Sequence, residues 1–138
     1  MIFNEFRRMH SELIEHYQYI EHNLEGLYAS ICKASFLIGL REVDKDNISA
    51  LIRKIDAIQA ERQLTILSEE EIERINVVRD RRNFWCHNCY VTLHLDLAPK
   101  GLVDQETAQM LMNDYYEAEE VRQMLFDKKL LWMSRVKA

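Results

Sequence analysis

Phe3, Phe6, His10, Leu13, Tyr17, Ile20, Leu24, Leu27 and Ile31 recur at alternating intervals of three and four residues. A helix of 3.6 residues per turn gathers all nine on one stripe, whereas a strand sends successive side chains to opposite faces. The chain therefore opens with an amphipathic helix, expected from about residue 3 to 30. Ala34 and Ile38 continue the spacing and allow it to reach 40 at most. Gly26 falls inside the pattern as a weak point, not necessarily a break. The ordinary meaning of such a stripe is the core of a helical bundle; the alternative is a seam with another chain.

The rest of the chain reads the same way. It has one proline and three glycines in 138 residues, too few turn-formers for a many-stranded β protein. Almost half of the residues are apolar, enough for a core without disulfides or metals. REVDKDN (41 to 47) is a polar turn. Asp44 and Asp46 suggest a calcium loop, but Ile48 and Ile55 stand where oxygen ligands are required, which excludes it. Asp46 or Asn47 caps a short helix carrying Ile48, Leu51, Ile52, Ile55 and Ile58. Ser68, with Glu71 three residues on, is a capping box. The helix it opens is expected to run to about Leu97 and stop before Pro99 and Gly101. Asp104 caps the last helix, with Ala108, Leu111, Met112, Tyr115, Ala118, Val121, Leu125 and Phe126 facing inward and an end near Met133. The expected fold is all-α: one domain over residues 1–138, an up-down bundle of three long helices and one or more short ones. The second helix is about half the length of the others. A second copy of the chain is the simplest cover for the remaining apolar surface.

The formal net charge of -5 argues against a broad nucleic-acid footprint, so any phosphate site must rest on a local cluster. The C-terminal Lys128, Lys129, Arg135 and Lys137 suit a helix dipole and a solvated tail better than an RNA patch. The cysteines number three (Cys32, Cys86 and Cys89), and MIFNEFRRMH is charged too early for a signal peptide. Both facts suit a reducing cytoplasm. LYASICKASFLIGL (27 to 40) is too short to span a bilayer and contains Lys33, so no membrane association is expected.

The densest chemistry lies in RNFWCHNCY, residues 82 to 90. Cys86 and Cys89 have knuckle spacing, but a structural zinc site needs four ligands, and Cys32 is the only other cysteine. His87 points away from the side that the two cysteines share on a helix. Covalent haem wants the histidine after the second cysteine, and a thioredoxin-like pair follows a strand. No metal or cofactor is expected. Cys86 and Cys89 read as small buried residues beside Ile75, Val78, Trp85 and Leu93. Trp85 reads as core, although it and Phe84 have faces on which a base can stack. His10, His16 and His22 are spread around the first helix and form no metal site, with His10 packed in the stripe.

Asn76, Arg79, Asn83, His87, Tyr90 and His94 recur at three or four residues and form a polar stripe, with Arg82 across its boundary. Arginine offers a fork of donors to a phosphate, histidine moves a proton near neutrality, and asparagine orients either one. Those are the needs of RNA cleavage by its own 2′-hydroxyl. The bland alternatives are a salt bridge from Arg82 to an acid on a neighbouring helix and an ordinary half-buried His87.

Arg82-Asn83-x3-His87 resembles the R-x4-6-H signature of the HEPN superfamily, in the form with a polar residue after the arginine. The resemblance implies a HEPN-like helical bundle that dimerises with its signature helices facing one another. It also implies a metal-independent endoribonuclease of a toxin–antitoxin or phage-defence system. Arg82, Asn83 and His87 would be catalytic, with Arg79 and Tyr90 as substrate contacts, and Arg81 would add charge beside Arg79. RNA is the implied substrate, with no DNA, and an antitoxin or nucleotidyltransferase the implied partner. One toxin branch carries a modified tyrosine two residues after the histidine. Here that position is Asn88, and the tyrosine is Tyr90. The family's polar residue from an earlier helix is not identified by sequence, with His16, Glu15 and Glu12 as candidates. The alternative implied function is a non-catalytic HEPN-like interaction, nucleotide-binding or RNA-binding protein.

Overall fold

The computed structural model describes residues 1–87, 89–95 and 101–136. The N-terminal stripe folds as α1 (Phe3–Ile31). Phe6, Leu13, Tyr17, Ile20, Leu24, Leu27 and Ile31 are each at most 1% exposed. The helix does not continue to 40. Cys32 turns extended, and the Ser35 hydroxyl accepts from the Ile38 amide at 3.3 Å, which starts a new helix, α2 (Phe36–Glu42). Ile38 therefore leaves the stripe and stands half-exposed. Gly39 lets α2 fold back onto α1, since a Cβ there would lie 2.9 Å from the Ala29 Cα.

Asn47 caps α3 (Ile48–Arg62) by accepting from the Ala50 amide at 2.9 Å. Ile48, Leu51, Ile52 and Ile55 are buried, and Ile58 packs against them. At 15 residues, α3 is about half the length of the two longest helices, as its pattern implied. Ser68 then opens α4 (Glu69–Cys86) with both bonds of the capping box in place. A four-residue helix, α5 (Cys89–Thr92), and α6 (Gln105–Val136) complete the order. The described residues thus form an all-helical fold of six helices, with two long ones where three long and one or more short were expected. The only β contact described is an isolated bridge between Ile2 and Leu102. Among these residues no helix is long and apolar enough to cross a membrane. The expected stop at Pro99 lies outside the described residues.

The Val103 amide donates to the Met1 carbonyl at 3.0 Å and ties the start of α6 to the start of α1. From there the partners climb together: Tyr115 with Glu12, Arg122 with His16 and Lys129 with Asn23. α1 and α6 therefore run parallel. α4 runs against α6, through Glu71–Lys128, Arg74–Glu117 and Arg81–Asp114. Leu111, Ala118, Val121 and Leu125 of α6 complete the core. Phe126 was expected inside but is 41% exposed, because one residue past Leu125 is 100° around the helix. The helix also outruns its expected end at Met133. Nor are Lys128 and Lys129 a solvated tail: Lys128 donates to Glu71 and to the Ile66 carbonyl, and Lys129 reaches Asn23. Lys137 lies outside the described residues.

Burial works against the Glu71 carboxylate, yet bonds from Ser68 and the Lys128 ammonium hold it below the usual glutamate value. Such a group contributes stability above its unfolded pKa and loses it as pH falls through the lower folded value. Two outcomes follow in chemical denaturation. Ser68→Ala should lose about 1 kcal/mol at pH 7. Lys128→Met should lose a similar ~1 kcal/mol at pH 7, and that deficit should narrow below about pH 4 as Glu71 protonates.

Candidate functional site

α4 ends at Cys86, not near Leu97, and the reason is visible around Trp85. His87 takes an extended conformation (φ -125°, ψ 111°), so the last carbonyls of α4 lack the amides that a continuing helix would supply. The Trp85 carbonyl instead accepts from His10 Nε2 at 2.9 Å and from the Cys89 thiol at 3.4 Å. A carbonyl only accepts, so His10 Nε2 is the donor of that bond. The Tyr90 hydroxyl is hydrogen-bonded to the other ring nitrogen, Nδ1, at 3.1 Å. His10, from the apolar stripe of α1, thus caps a helix 75 residues away and orders the segment after the break. Trp85 is buried as expected, and its indole N–H and the Arg81 Nε both donate to the Asp114 carboxylate, at 2.6 and 2.7 Å.

The break ends the polar stripe. Asn76, Arg79 and Asn83 share α4, but His87, Tyr90 and His94 do not continue their face. His87 stands exposed beyond the helix end, and His94 lies in a turn at φ 52°. Cys89 is buried as read from sequence. Cys86 is exposed, a correction with the same cause, because the helix stops before packing covers it. Desolvation raises the Cys86 thiol pKa while Arg82 opposes it; the net shift is upward, so Cys86 is a poor nucleophile at neutral pH. Among the described residues, no group of three or more His, Cys, Asp or Glu side chains is arranged to hold a metal ion.

Arg82 bonds Glu21 of α1, Nη2 to Oε2 at 3.0 Å, with the two side chains 31% and 24% exposed. Sequence reading allowed such a carboxylate but did not identify it. The available signal was position: Glu21 lies four residues after Tyr17 and three before Leu24, on the edge of the buried stripe. Two of the other candidates turn toward α6: Glu12 accepts from Tyr115, and His16 accepts from Arg122. Arg79 is engaged by Ser49, Asn76 and Asp80. Arg81 is engaged by Asp114 and lies over the Phe84 ring. Asn83 is exposed, and Asn88 lies outside the described residues.

A groove of about 820 Å³ runs along the outer face of α1, with Arg7, His10, Ser11, Ile14, Gln18 and Tyr90 among its lining. Tyr19 and His22 also line the groove, whereas Arg82 and Glu21 do not. The arrangement offers a cation paired with a carboxylate on α4, a titratable side chain at its exposed end, and an open groove that contains His10 and Tyr90, bonded to each other. No family model, curated protein or solved structure matches this chain.

His10→Phe keeps a ring in place but removes the Trp85 cap and the hydrogen-bond partner of Tyr90. Because Cys89 still serves the Trp85 carbonyl, the expected loss is about 1–2 kcal/mol in urea unfolding. A variant as stable as wild type would mean that His10 is not what holds the break.

Proposed function

We propose that the chain is a HEPN-like, up-down helical bundle acting as a metal-independent endoribonuclease in the cytoplasm, in a toxin–antitoxin or phage-defence setting. The reading rests on Arg82-Asn83-x3-His87 and is supported by one observation. The motif stands at the accessible end of α4, and Arg82 bonds Glu21, a polar residue of an earlier helix. His87 moves the proton, taking it from the attacking 2′-hydroxyl or giving it to the leaving 5′-oxygen. Arg82 meets the phosphate charge, and Asn83 orients the pair. The products of that attack are a 2′,3′-cyclic phosphate and a 5′-hydroxyl end. Tyr90 contributes through its position in the groove, since its hydroxyl is already bonded to His10. Arg79 contributes only by exchanging its present partners for substrate. A homodimer would supply a second histidine, letting one act as base and the other as acid. An antitoxin or nucleotidyltransferase would be the restraining partner.

The second reading is a non-catalytic HEPN-like binding protein. It is favoured by the Arg82–Glu21 ion pair, which already neutralises the cation that a phosphate would need.

Cleavage of a mixed RNA pool in EDTA, with the product ends identified, separates the two. Under the first reading, Arg82→Ala and His87→Ala each cut the rate by about 10²–10⁴-fold in folded protein. Wild-type protein that leaves RNA intact and is harmless on induction would remove the catalytic claim.

A further inference from the structure

The cations set between helices are matched with carboxylates: Arg74 with Glu117 and Glu120, Arg81 with Asp114, Arg82 with Glu21 and Lys128 with Glu71. Arg122 and Lys129 of α6 are different. Both are half-buried, and among the described residues neither is paired with a carboxylate within 4.0 Å. Arg122 donates to His16 Nδ1 at 3.1 Å and stacks 3.9 Å above the Tyr19 ring. Lys129 donates to Asn23 Oδ1 at 2.9 Å and lies 5.2 Å from the Phe126 ring centre. Asn23 is 2% exposed and donates its amide to the Arg122 carbonyl, so one buried side chain orients both cations' surroundings. Burial alone pulls the Lys129 ammonium below the usual lysine value, with no anion offsetting it.

These groups line one notch of about 280 Å³ between α1 and α6, closed at the sides by Tyr19 and Phe126, with His22 at the edge. Gly26 helps to make it. A Cβ at that position would lie 2.5 Å from Lys129 Cδ, so the bare glycine lets the lysine stem lie against α1. Lys129 is a partly desolvated cation with no carboxylate within 4.0 Å among the described residues, which is costly. Arg122 makes no ion pair within that distance, although Glu119 and Glu120 line a neighbouring cavity with it. An arginine fork beside a lysine point charge suits a phosphate, and aromatic walls suit a base. The volume stands near the ~300 Å³ lower end of small-molecule sites, which favours a small ligand over a polymer.

We propose that the notch formed by Tyr19, Asn23, Gly26, Arg122, Phe126 and Lys129 binds a phosphate monoester of mononucleotide size. Arg122 and Lys129 take the phosphate, and Tyr19 and Phe126 flank the base. The notch adjoins the groove along α1, with which it shares Tyr19 and His22; Arg82 and Glu21 line neither, and Glu21 and Asn23 point about 160° apart on α1 at 100° per residue. It stands whether or not the chain cleaves RNA.

Calorimetric titration of the whole chain, at fixed ionic strength, with inorganic phosphate, adenosine 5′-monophosphate and adenosine tests it. Phosphate and the nucleotide bind, the nucleotide more tightly, and adenosine alone does not. Arg122→Gln and Lys129→Met each weaken nucleotide binding by about tenfold or more. Gly26→Ala is the sharper probe. Alanine favours the helix, so thermal stability holds or rises, while the displaced Lys129 weakens binding. Amide shifts of the wild-type protein on adding nucleotide fall in residues 19–26 and 122–129, which keeps the test independent of any misfolded variant. The proposal is overturned by no saturable binding, by adenosine matching the nucleotide, by variants that bind as wild type does, or by shifts confined to the Arg82 region. RNA cleavage assays bear on none of these outcomes.

Discussion

Everything else in the fold is arranged around the packing of α1 on α6. Fully burying one leucine or isoleucine contributes about 1.5–3 kcal/mol, and the α1 stripe has seven side chains at essentially zero exposure. α6 answers with Leu111, Val121 and Leu125 along its facing side. Because the two helices are parallel and joined at their N-terminal ends through Met1 and Val103, the chain must return the full length of the pair between them. α4 makes that return. It reaches the level of His10 and must then deliver the chain to the start of α6. Continued past His87, α4 would still run toward the Met1 end of α1, because its contacts descend from Glu21 to His10. The chain instead breaks after Cys86, and the candidate residues stand at that break.

The seams between these helices are stitched by arginine and carboxylate pairs, most of them only part-buried. Such pairs contribute little net stability when exposed, but they fix which faces meet. Arg74, Arg81 and Arg82 leave α4 in different directions, toward α6 at Glu117 and Asp114 and toward α1 at Glu21. The Arg82–Glu21 pair is only part-buried, at 31% and 24% exposed. A phosphate bringing two acceptor oxygens competes with one carboxylate on nearly equal geometric terms.

Much of this was legible in the sequence because the signals are local. The α1 stripe, the Asn47 cap and the Ser68–Glu71 box act over three or four residues, and each forms as read. The misreadings share a cause, which is that the deciding partner is distant. The helix through RNFWCHNCY stops because His10 satisfies a carbonyl 75 residues away, and no spacing rule inside that stretch contains His10. His10 itself reads as one more packed member of a stripe. α1 ends before Ile38 because Ser35 offers a competing cap and Gly39 offers a landing site, both weak signals against a strong repeat. Glu21 was overlooked because a carboxylate beside an apolar stripe looks solvated until its arginine is known.

Gly26 shows the same lesson from the opposite side. Within α1 it costs roughly 1 kcal/mol relative to alanine, a local penalty with no local compensation. The atom that an alanine would meet is Lys129 Cδ, on a flexible stem that can swing aside. Close packing of backbones therefore does not demand the glycine, unlike Gly39, where a Cβ would meet the Ala29 backbone. What the glycine preserves is one position of one ammonium group, against Asn23 and beside Arg122. A chain that gives up helix propensity to hold a cation with no carboxylate within 4.0 Å among the described residues trades stability for charge placement, and the reason must be sought in what that charge meets.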